Sequence, residues 1–235
     1  MVAVADEIRS GILSKNRLLG QLAAHELEEL LAAAQVEAFE PQQTIFSKGD
    51  PGRCLYAVLV GRVVINTISS DGQEILLNIL DAGEIFGEIA VLDGGVRTAG
   101  AVAIEPTKLL RIDRHVFVPF LERHPKLCIR VMEVLCERLR RTSDVIEDTI
   151  FLEIPRRLAK KLLDLAVHFG KAGQEGVQID IKLSQEDLGS MLGVTRESVN
   201  KGLKKLQALG IISYDRGQLV ICNIERLRSL GSESR

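Results

Sequence analysis

Residues 126–152 contain neither glycine nor proline, and this uninterrupted run constrains the fold more than any other feature of the chain. Small or apolar residues recur along it at intervals of three and four, at Met132, Leu135, Leu139, Thr142, Ile146 and Thr149. This spacing predicts one long helix with a coiled-coil seam, and therefore a parallel homodimer. The alternative is a helix packed against its own domain. Two adjacent hydroxyls, on Thr142 and Ser143, interrupt the seam and cost stability unless each finds a partner.

The sequence before this run has the texture of a β-sheet. From residue 42 to about residue 112, short β-branched runs are separated by glycines, several of which are 11 residues apart. Short strands at this rhythm are typical of an antiparallel sandwich or barrel. Two of the runs predict a hairpin closed around Asp71-Gly72. A helical segment over residues 22–36 is expected to precede the sheet.

A new segment begins after the long helix. Pro155 suits the first turn of another helix, which ends at Gly170. Residues 171–176 are expected to form a polar connector, followed by an alternating strand. A chain of 235 residues favours two small domains over one large one. These boundaries predict three segments, namely a sheet domain over 1–125, a dimerisation helix over 126–152 and a C-terminal domain over 153–235.

The net charge of −2 conceals an uneven distribution of charge along the chain. Residues 1–152 carry a net charge of −6, whereas residues 153–235 carry +4. The total argues against a nucleic-acid partner, but the basic C-terminal part is compatible with one.

The N-terminal sequence MVAVADEIRS does not resemble a signal peptide, and the apolar runs are too short to span a bilayer. We therefore expect a cytoplasmic location and no contact with a membrane. The cysteines are too scattered to predict a disulfide framework or a metal site, and we interpret them as small buried hydrophobic residues. They are Cys54, Cys128, Cys136 and Cys222.

The segment GEIFGEIAVLDGGVRTA, residues 83–99, combines a glycine-opened turn with the carboxylate of Glu88 and the guanidinium of Arg97. Free backbone N–H groups and an arginine suit a phosphate, and a carboxylate accepts hydrogen bonds from a ribose hydroxyl. A phosphate and a hydroxyl on one small ligand suggest a nucleotide. The alternative is a structural ion pair between Glu88 and Arg97 across the turn.

The segment LSQEDLGSMLGVTRESVNKGLKKLQALGIIS has the layout of a helix-turn-helix. Ser184 is expected to cap the first helix, with Asp187 as a weak capping box, while Gly193 makes the turn and Thr195 caps the second helix. One face of the second helix presents side chains that can read base edges in a major groove, namely Arg196, Glu197, Asn200, Lys201 and Lys204. The alternative is a solvated charged face on a small helical domain. A hairpin around Asp215-Arg216-Gly217 predicts a wing.

These motifs together resemble a known family. FGEIAVLDGGVRTA and the earlier SKGDPGRCLYAVLVGRV are similar to segments of cyclic-nucleotide-binding domains, and TSDVIEDTIFLEI is similar to a dimer helix and hinge. From about residue 22 to residue 224 the chain resembles the Crp/Fnr family, and most of all its cyclic AMP-responsive branch. The resemblance implies an α+β fold with an N-terminal cyclic-nucleotide-binding β-roll of jelly-roll type, a long dimerisation helix and a C-terminal winged helix-turn-helix.

The resemblance also implies roles for individual residues. Glu88 would accept from the ribose 2′-hydroxyl, Arg97 would pair with the cyclic phosphate, and Thr142 and Ser143, one from each subunit, would contact the base. Arg138 either packs nearby or is a surface charge. The implied ligand-binding residues are Gly87, Glu88, Ile89, Arg97, Thr98, Arg138, Thr142 and Ser143. The implied DNA-binding residues are Ser184, Gln185, Thr195, Arg196, Glu197, Ser198, Asn200, Lys201 and Lys204.

The implied function is that of a homodimeric transcription regulator, not an enzyme, that binds a palindromic promoter site in double-stranded DNA and acts on RNA polymerase. Cyclic AMP is the first candidate ligand. Cyclic GMP is the second candidate. The sequence Arg97-Thr98-Ala99 is similar to one found in cyclic GMP-binding domains, where the threonine hydroxyl can reach the amino group of a syn guanine. The family often binds a TGTGA-type half-site with an arginine at the position of Lys201. The lysine ammonium offers a single point charge to a base, whereas an arginine guanidinium can donate two parallel hydrogen bonds.

Two other functions stay open. One is a regulator of the same family that responds to a different effector or is constitutively active. The nucleotide cradle, the segment of residues 83–99, would then no longer bind a ligand. The other is a signalling module that does not bind DNA, which would need a catalytic or membrane segment. We expect no metal, haem or iron–sulfur cluster, because the first cysteine, Cys54, lies inside the sheet region, and Ser69, Ser70 and Asp71 at the hairpin turn offer no haem ligand.

Overall fold

The computed structural model describes residues 19–69, 72 and 74–232. The chain divides into two compact units, residues 1–140 and residues 141–235. The division falls inside the long helix, so the three predicted segment boundaries stay predictions. The N-terminal residues 1–10, where a signal peptide was excluded, lie outside the described residues.

The first unit contains two four-stranded antiparallel sheets, which confirms the expected sandwich of short strands. The strands are β1 (Gln35–Phe39), β2 (Thr44–Phe46), β3 (Cys54–Val60), β4 (Val63–Ile68), β5 (Glu74–Leu80), β6 (Ile85–Phe86), β7 (Gly100–Ala103) and β8 (Thr107–Asp113). One sheet has the order β1-β8-β3-β6 and the other has the order β2-β7-β4-β5. Strand β3 is buried over all but its last residue because its two faces pack in two different hydrophobic clusters. The core is mostly aliphatic, and it also contains the buried rings of Phe86, Phe117 and Phe120.

Strands β4 and β5 form the predicted hairpin, paired from Val63 and Leu80 at one end to Ile68 and Glu74 at the other. Asp71, expected in its turn, lies outside the described residues, as does Ser70. Gly61 between β3 and β4 has a φ of +87°, and a Cβ there would lie 2.5 Å from the carbonyl oxygen of Pro106. This turn therefore requires glycine.

The described residues of the first unit include a short 3₁₀ helix (Leu19–Gln21) and the starts of four α-helices. The α-helices are α1 (Ala24–Ala32), α2 (Glu88–Asp93), α3 (Arg114–Arg123) and α4 (Pro125–Phe151). The helix predicted over residues 22–36 was too long. It ends at Ala32, and Val36 belongs to β1, where it pairs with Leu110. Ladder hydrogen bonds to β8 outweigh the local helical pattern at this point.

The long helix α4 is confirmed, with 27 residues. Near its start, Leu127 and Val131 are buried in the core of the first unit and Leu135 packs against that core. Leu135, which the sequence places in the dimer seam, is half-buried against the core of its own unit, and its place in a seam stays a prediction. Large apolar side chains elsewhere on α4 are more than half exposed, namely Ile129, Met132, Leu139, Val145, Ile146, Ile150 and Phe151.

The second unit combines helices with a four-stranded sheet of order β11-β12-β10-β9. Its elements are α5 (Ile154–Phe169), β9 (Gly170–Gly173), β10 (Gly176–Ile179), α6 (Gln185–Leu192), α7 (Arg196–Ala208), β11 (Ile212–Asp215), β12 (Gln218–Ile221) and α8 (Ile224–Ser232). The stretch predicted as a polar connector instead contributes most of β9, which pairs with β10. Its polarity reflects solvent exposure, because all four residues of β9 are exposed.

Two further features bear on the sequence analysis. Cys54 is buried and Cys128 is half-buried, but Cys136 and Cys222 are exposed, so their interpretation as buried hydrophobic residues is wrong. Among the described residues, no helix combines the length and the apolar character that crossing a membrane requires.

Candidate functional site

The short helix α2 is framed by two glycines in the left-handed region. Gly87, the residue before the helix, has a φ of +78°, and Gly94 after it has a φ of +73°. A Cβ on Gly87 would lie 2.5 Å from Nη1 of Arg97. The position therefore requires glycine twice over, once for the backbone conformation and once for the close approach of the guanidinium.

The main chain of Arg97 is held by the loop that precedes β3. The Arg97 N–H donates to the carbonyl of Asp50 at 2.8 Å, and the Gly49 N–H donates to the carbonyl of Arg97 at 2.9 Å. Pro51 and Val96 form an isolated antiparallel bridge beside them. The glycine–aspartate turn thus fixes where the arginine side chain starts.

The Arg97 guanidinium is directed into the protein, and the residue is only 4% exposed. Nη1 donates to the carbonyl of Gly87 at 2.8 Å, and Nη2 donates to the carbonyl of Cys54 at 2.6 Å and to its Sγ at 3.4 Å. The guanidinium carbon lies 4.0 Å from the ring centroid of Phe46. Within the described chain Arg97 forms no ion pair, and its Nε is buried without a hydrogen-bond partner.

Glu88 is also 4% exposed, although it opens a helix. Its Oε1 accepts a hydrogen bond from Nη1 of Arg138, whose Nη2 donates to the carbonyl of Ile85 at 2.5 Å. The suggested ion pair between Glu88 and Arg97 is therefore wrong, since the partner of Glu88 comes from α4. Arg138 is accordingly more than a surface charge.

The site leaves one acceptor and one donor unsatisfied. Oε2 of Glu88 and Nε of Arg97 are both buried, and neither has a hydrogen-bond partner in the described chain. Buried polar groups are nearly always paired, so each such atom calls for an explanation. A ligand with a hydroxyl to donate and an anionic group to accept would satisfy both atoms.

The other predicted ligand residues lie at the surface of their units. Ile89 is 39% exposed and Thr98 is exposed, and both are sequence neighbours of the two buried charges. Thr142 and Ser143 are exposed on α4.

In the second unit, α6 and α7 form the predicted helix-turn-helix with the predicted caps. The Ser184 hydroxyl accepts from the Asp187 N–H at 3.0 Å, and the Asp187 carboxylate accepts from the Ser184 N–H at 2.7 Å. Gly193 has a φ of +63°, and Thr195 accepts from the Ser198 N–H at 3.3 Å. A capping box at one helix and a capped start at the next confirm this part of the prediction.

Helix α7 buries one face and exposes the opposite one. Val199, Leu203 and Leu206 are at most 3% exposed. The side chains predicted to read bases are exposed except for the half-buried Asn200, and they are Arg196, Glu197, Lys201 and Lys204. Since the apolar face is used in the core of the unit, the charged face is available to a partner.

The strands β11 and β12 form the predicted wing, and its tip is docked on the start of α6. The Tyr214 hydroxyl donates to the carbonyl of Leu183 at 2.9 Å, and the Leu183 N–H donates to the carbonyl of Gly217 at 2.9 Å. Burial, reinforced by the Asp187 carboxylate, raises the pKa of Tyr214, so the hydroxyl stays a donor.

A groove of about 550 Å³ lies between the wing and the helix-turn-helix. Its lining includes the predicted residues Ser184, Gln185 and Arg196, together with Lys182, Glu186, Asp187, Tyr214, Arg216 and Gly217. Sequence reasoning missed Lys182, Tyr214 and Arg216 as site residues. The hairpin signal around residues 215–217 was the clue that could have found Arg216.

Sequence reasoning also missed Phe46 and Cys54, the residues that surround the Arg97 guanidinium. Cys54 is 43 residues from Arg97 along the chain, and Phe46 is farther still. No local spacing reports a contact over such a distance, so no signal in the sequence identifies either residue.

Comparison with known proteins agrees with both units. The cyclic nucleotide-binding domain family matches residues 36–124, and the Crp-like helix-turn-helix domain family matches residues 156–230. The "CRP-like cAMP-activated global transcriptional regulator" of Mycobacterium tuberculosis is 32% identical over 92% of this chain and 96% of its own length. The "Global nitrogen regulator" of a Synechocystis species is 30% identical over 80% of this chain and 84% of its own.

Solved structures show the same fold. The c-di-GMP-responsive global regulator CLP of Xanthomonas campestris superposes with a TM-score of 0.74 over 85% of this chain and 99% of its own, at 24% identity. Two domain families that match in this order, and a relative similar over nearly the whole chain, leave a single assignment. The chain is a DNA-binding transcription regulator of the Crp/Fnr family with a cyclic nucleotide-binding domain.

Proposed function

We propose that the cradle around Arg97 and Glu88 binds a cyclic nucleotide that controls DNA binding, with cyclic AMP as the first candidate and cyclic GMP as the second. The observation that carries this proposal is the pair of buried, unsatisfied atoms, Nε of Arg97 and Oε2 of Glu88. A cyclic phosphate supplies the acceptor for the first, and a ribose 2′-hydroxyl supplies the donor for the second. The activation of the Mycobacterium tuberculosis relative by cyclic AMP, stated in its name, supports the same ligand class.

Electrostatics favours an anion at this position. A buried guanidinium that is surrounded by carbonyl groups and a ring, without a carboxylate, keeps a positive charge that is only partly compensated. An anionic ligand completes the compensation inside a site that excludes water, where charge-assisted hydrogen bonds are strong.

Titration calorimetry with cyclic AMP and cyclic GMP tests the ligand. We expect Arg97→Gln to abolish measurable binding of both nucleotides and Glu88→Gln to weaken it by at least about tenfold, since hydrogen bonds to charged groups contribute about 1.5–3 kcal/mol. Arg53→Gln is the matched control, because Arg53 lies in the same unit and is exposed. Unchanged nucleotide affinity in Arg97→Gln would refute the cradle.

We further propose that α4 pairs with α4 of a second copy in a parallel dimer. Exposed side chains on this helix follow alternating steps of three and four, at Ile129, Met132, Cys136, Leu139, Ser143, Ile146 and Ile150. This repeat is that of a coiled-coil seam, and an apolar stripe of this kind is stabilised by burial against its own counterpart.

Cys136 provides the assay for this dimer. In a parallel, in-register pair the two Cys136 thiols face each other, so mild oxidation or a short bifunctional maleimide joins the subunits. The matched control is Cys222, which is also exposed but lies outside α4. We expect crosslinking in Cys222→Ser and none in Cys136→Ser, and the reverse pattern would refute the parallel seam.

We propose that the dimer presents two α7 helices to successive major grooves, about 34 Å apart, on a palindromic duplex. Exposed Glu197 is suited to accept from a cytosine amino group, and exposed Lys201 is suited to donate to a guanine. Replacing Glu197 by alanine should relax the base preference at one position of each half-site, at a cost of about 1–3 kcal/mol for the preferred base. Anisotropy titrations with duplexes that differ at single positions measure this, and an unchanged ranking of the duplexes would count against the docking.

The nucleotide can shift the population of DNA-binding dimers only through contacts that differ between two arrangements. Thr142 and Ser143 are the proposed source of these contacts, at the base of the nucleotide. Measuring the affinity for DNA with and without cyclic AMP distinguishes these modes of control. Nucleotide control predicts that cyclic AMP changes the affinity, whereas a different effector or constitutive activity predicts that it does not. Transcription with purified RNA polymerase on the same promoter tests the last step, and a regulator without polymerase contact would leave transcript levels unchanged or only block them.

A further inference from the structure

We propose that Phe46 is a positioning residue for Arg97, whose ring face keeps the guanidinium buried and ready for an anion. The guanidinium carbon lies 4.0 Å from the centroid of the Phe46 ring. This is well inside the range in which an arginine is attracted by the negative face of an aromatic ring. The inference rests on the proposed function, because it explains how that site is held ready.

Arg97 needs such support because its buried position is costly. The guanidinium has left water without gaining an ion pair in the described part of the chain, and its Nε has no acceptor. Turning outward would restore its hydration. The carbonyls of Gly87 and Cys54 hold the two terminal nitrogens, and the ring of Phe46 covers the face of the group.

A ring suits this task better than a carboxylate would. An aspartate beside Arg97 would neutralise the guanidinium and compete with the phosphate for its hydrogen bonds. An aromatic face attracts the cation through its quadrupole but carries no net charge and accepts no strong N–H bond. The arginine is therefore held in place while its charge remains available to a ligand.

The ring itself is fixed by its surroundings. Phe46 ends β2, and its ring centroid lies 6.2 Å from that of Tyr56 and 5.8 Å from that of Phe86. The Tyr56 hydroxyl in turn donates to the Glu37 carboxylate at 3.3 Å. A ring clamped by two neighbours can define the position of a flexible arginine.

Fluorination of the Phe46 ring tests the proposal because fluorine weakens the negative face with little change of shape. Mono-, di- and trifluorinated phenylalanine are introduced at position 46 of the full chain. We expect the equilibrium constant for unfolding of the first unit to rise stepwise with fluorine number, by about tenfold over the series. In an Arg97→Gln background the same series should be flat, because the cation is gone.

Phe39 is the matched control, since its ring packs edge-on against Tyr56 at 6.5 Å and is the same residue type in the same unit. Fluorination there should produce no stepwise trend that depends on Arg97. A flat series at Phe46, or a slope that persists in Arg97→Gln, would overturn the proposal and reveal a packing role only.

Calorimetry on the same variants connects the ring to the ligand. The dissociation constant of cyclic AMP, or of cyclic GMP where that binds more tightly, should also rise stepwise with fluorine number at position 46. The two hypotheses fail separately. Absence of nucleotide binding by the wild-type chain would refute the proposed function, whereas the unfolding series alone still decides whether Phe46 holds Arg97.

Discussion

Replacing Gly87 by alanine should damage the ligand site and the stability of the first unit through two separable effects. The backbone effect arises because Gly87 has a φ of +78°, where an L-residue costs about 1–2 kcal/mol. The steric effect arises because the new Cβ would lie 2.5 Å from Nη1 of Arg97. The guanidinium must move, and it then loses its bond to the Gly87 carbonyl.

The magnitude of the steric effect follows from the contact that is lost. A hydrogen bond to a charged group contributes about 1.5–3 kcal/mol. A displaced guanidinium no longer meets a bound phosphate in the wild-type geometry, and the loss of one such charge-assisted hydrogen bond removes that amount from the binding free energy. The expected result is a dissociation constant for cyclic AMP that rises by about 10- to 150-fold.

Gly94 provides the matched control at the other end of the same helix. Its φ is +73°, so alanine there incurs a similar backbone cost. The nearest atom to its Cβ would be Nη2 of Arg114 at 3.5 Å, an ordinary van der Waals distance. Gly94→Ala should therefore lower stability by the backbone cost alone, about 1–2 kcal/mol, and leave nucleotide affinity unchanged.

The chain contains no tryptophan and only two tyrosines, one in each unit. In a Tyr214→Phe background, the fluorescence of Tyr56 alone reports urea unfolding of the first unit, and calorimetry gives the affinity. Equal nucleotide affinities for Gly87→Ala and Gly94→Ala would refute the reasoning, because the close approach to Arg97 would then have no role in binding.

Three further predictions follow from the structure. Ser184→Ala removes one half of the capping box of α6 and should lower the free energy of unfolding by about 1 kcal/mol in urea titrations, with Ser184→Asn close to wild type. Cys222 should react with a thiol reagent in the folded protein much faster than Cys54, which should react only after denaturation, as mass spectrometry of labelled peptides would show. The pKa of Glu26 is lowered by the hydrogen bond from the Ala23 N–H and by His124. The ionised carboxylate therefore stabilises the fold above the ordinary pKa of a glutamate, and this stabilisation is lost as the pH falls through the lowered pKa. In urea titrations at a series of acidic pH values, Glu26→Gln should make the free energy of unfolding depend less steeply on pH.

The helix-turn-helix was predictable because its determinants are local. Ser184, Gly193 and Thr195 stand at helix ends where a side-chain acceptor or a left-handed backbone is needed, and each has the predicted role. Capping interactions join residues that are only three or four positions apart, so both partners can be recognised in a short stretch of sequence.

The interior of the ligand cradle was less predictable because its determinants are distant. The spacing of Glu88 and Arg97 identified the two charges but left open an ion pair between them, and it did not reveal what each one contacts. The partner of Glu88 is Arg138, which lies 50 residues away on α4, and the ring beside Arg97 comes from β2. Which distant residue reaches a buried charge is decided by the packing of sheet and helix, and residue spacing does not record it.

The pattern on α4 is ambiguous for a related reason. The three-and-four spacing of apolar residues predicts a helix. It does not say whether a given side chain packs against its own domain or faces a second copy of the helix. Leu135 is used within its own domain, while Leu139 one turn later is 67% exposed. Both fit the same periodicity, so only the three-dimensional structure separates them.

The segment that carries Arg97 is tied to the residues before β3 by a short ladder, and this makes the backbone amides of the ladder reporters of ligand occupancy. The Gly49, Gly52 and Arg97 N–H groups each donate across it, to the carbonyls of Arg97, Gly95 and Asp50. Their exchange with deuterated solvent requires the ladder to open. An effector that binds the Arg97 guanidinium is expected to keep the ladder closed and to slow exchange at all three amides. Hydrogen-exchange mass spectrometry can therefore screen unlabelled metabolites for the natural ligand of this regulator.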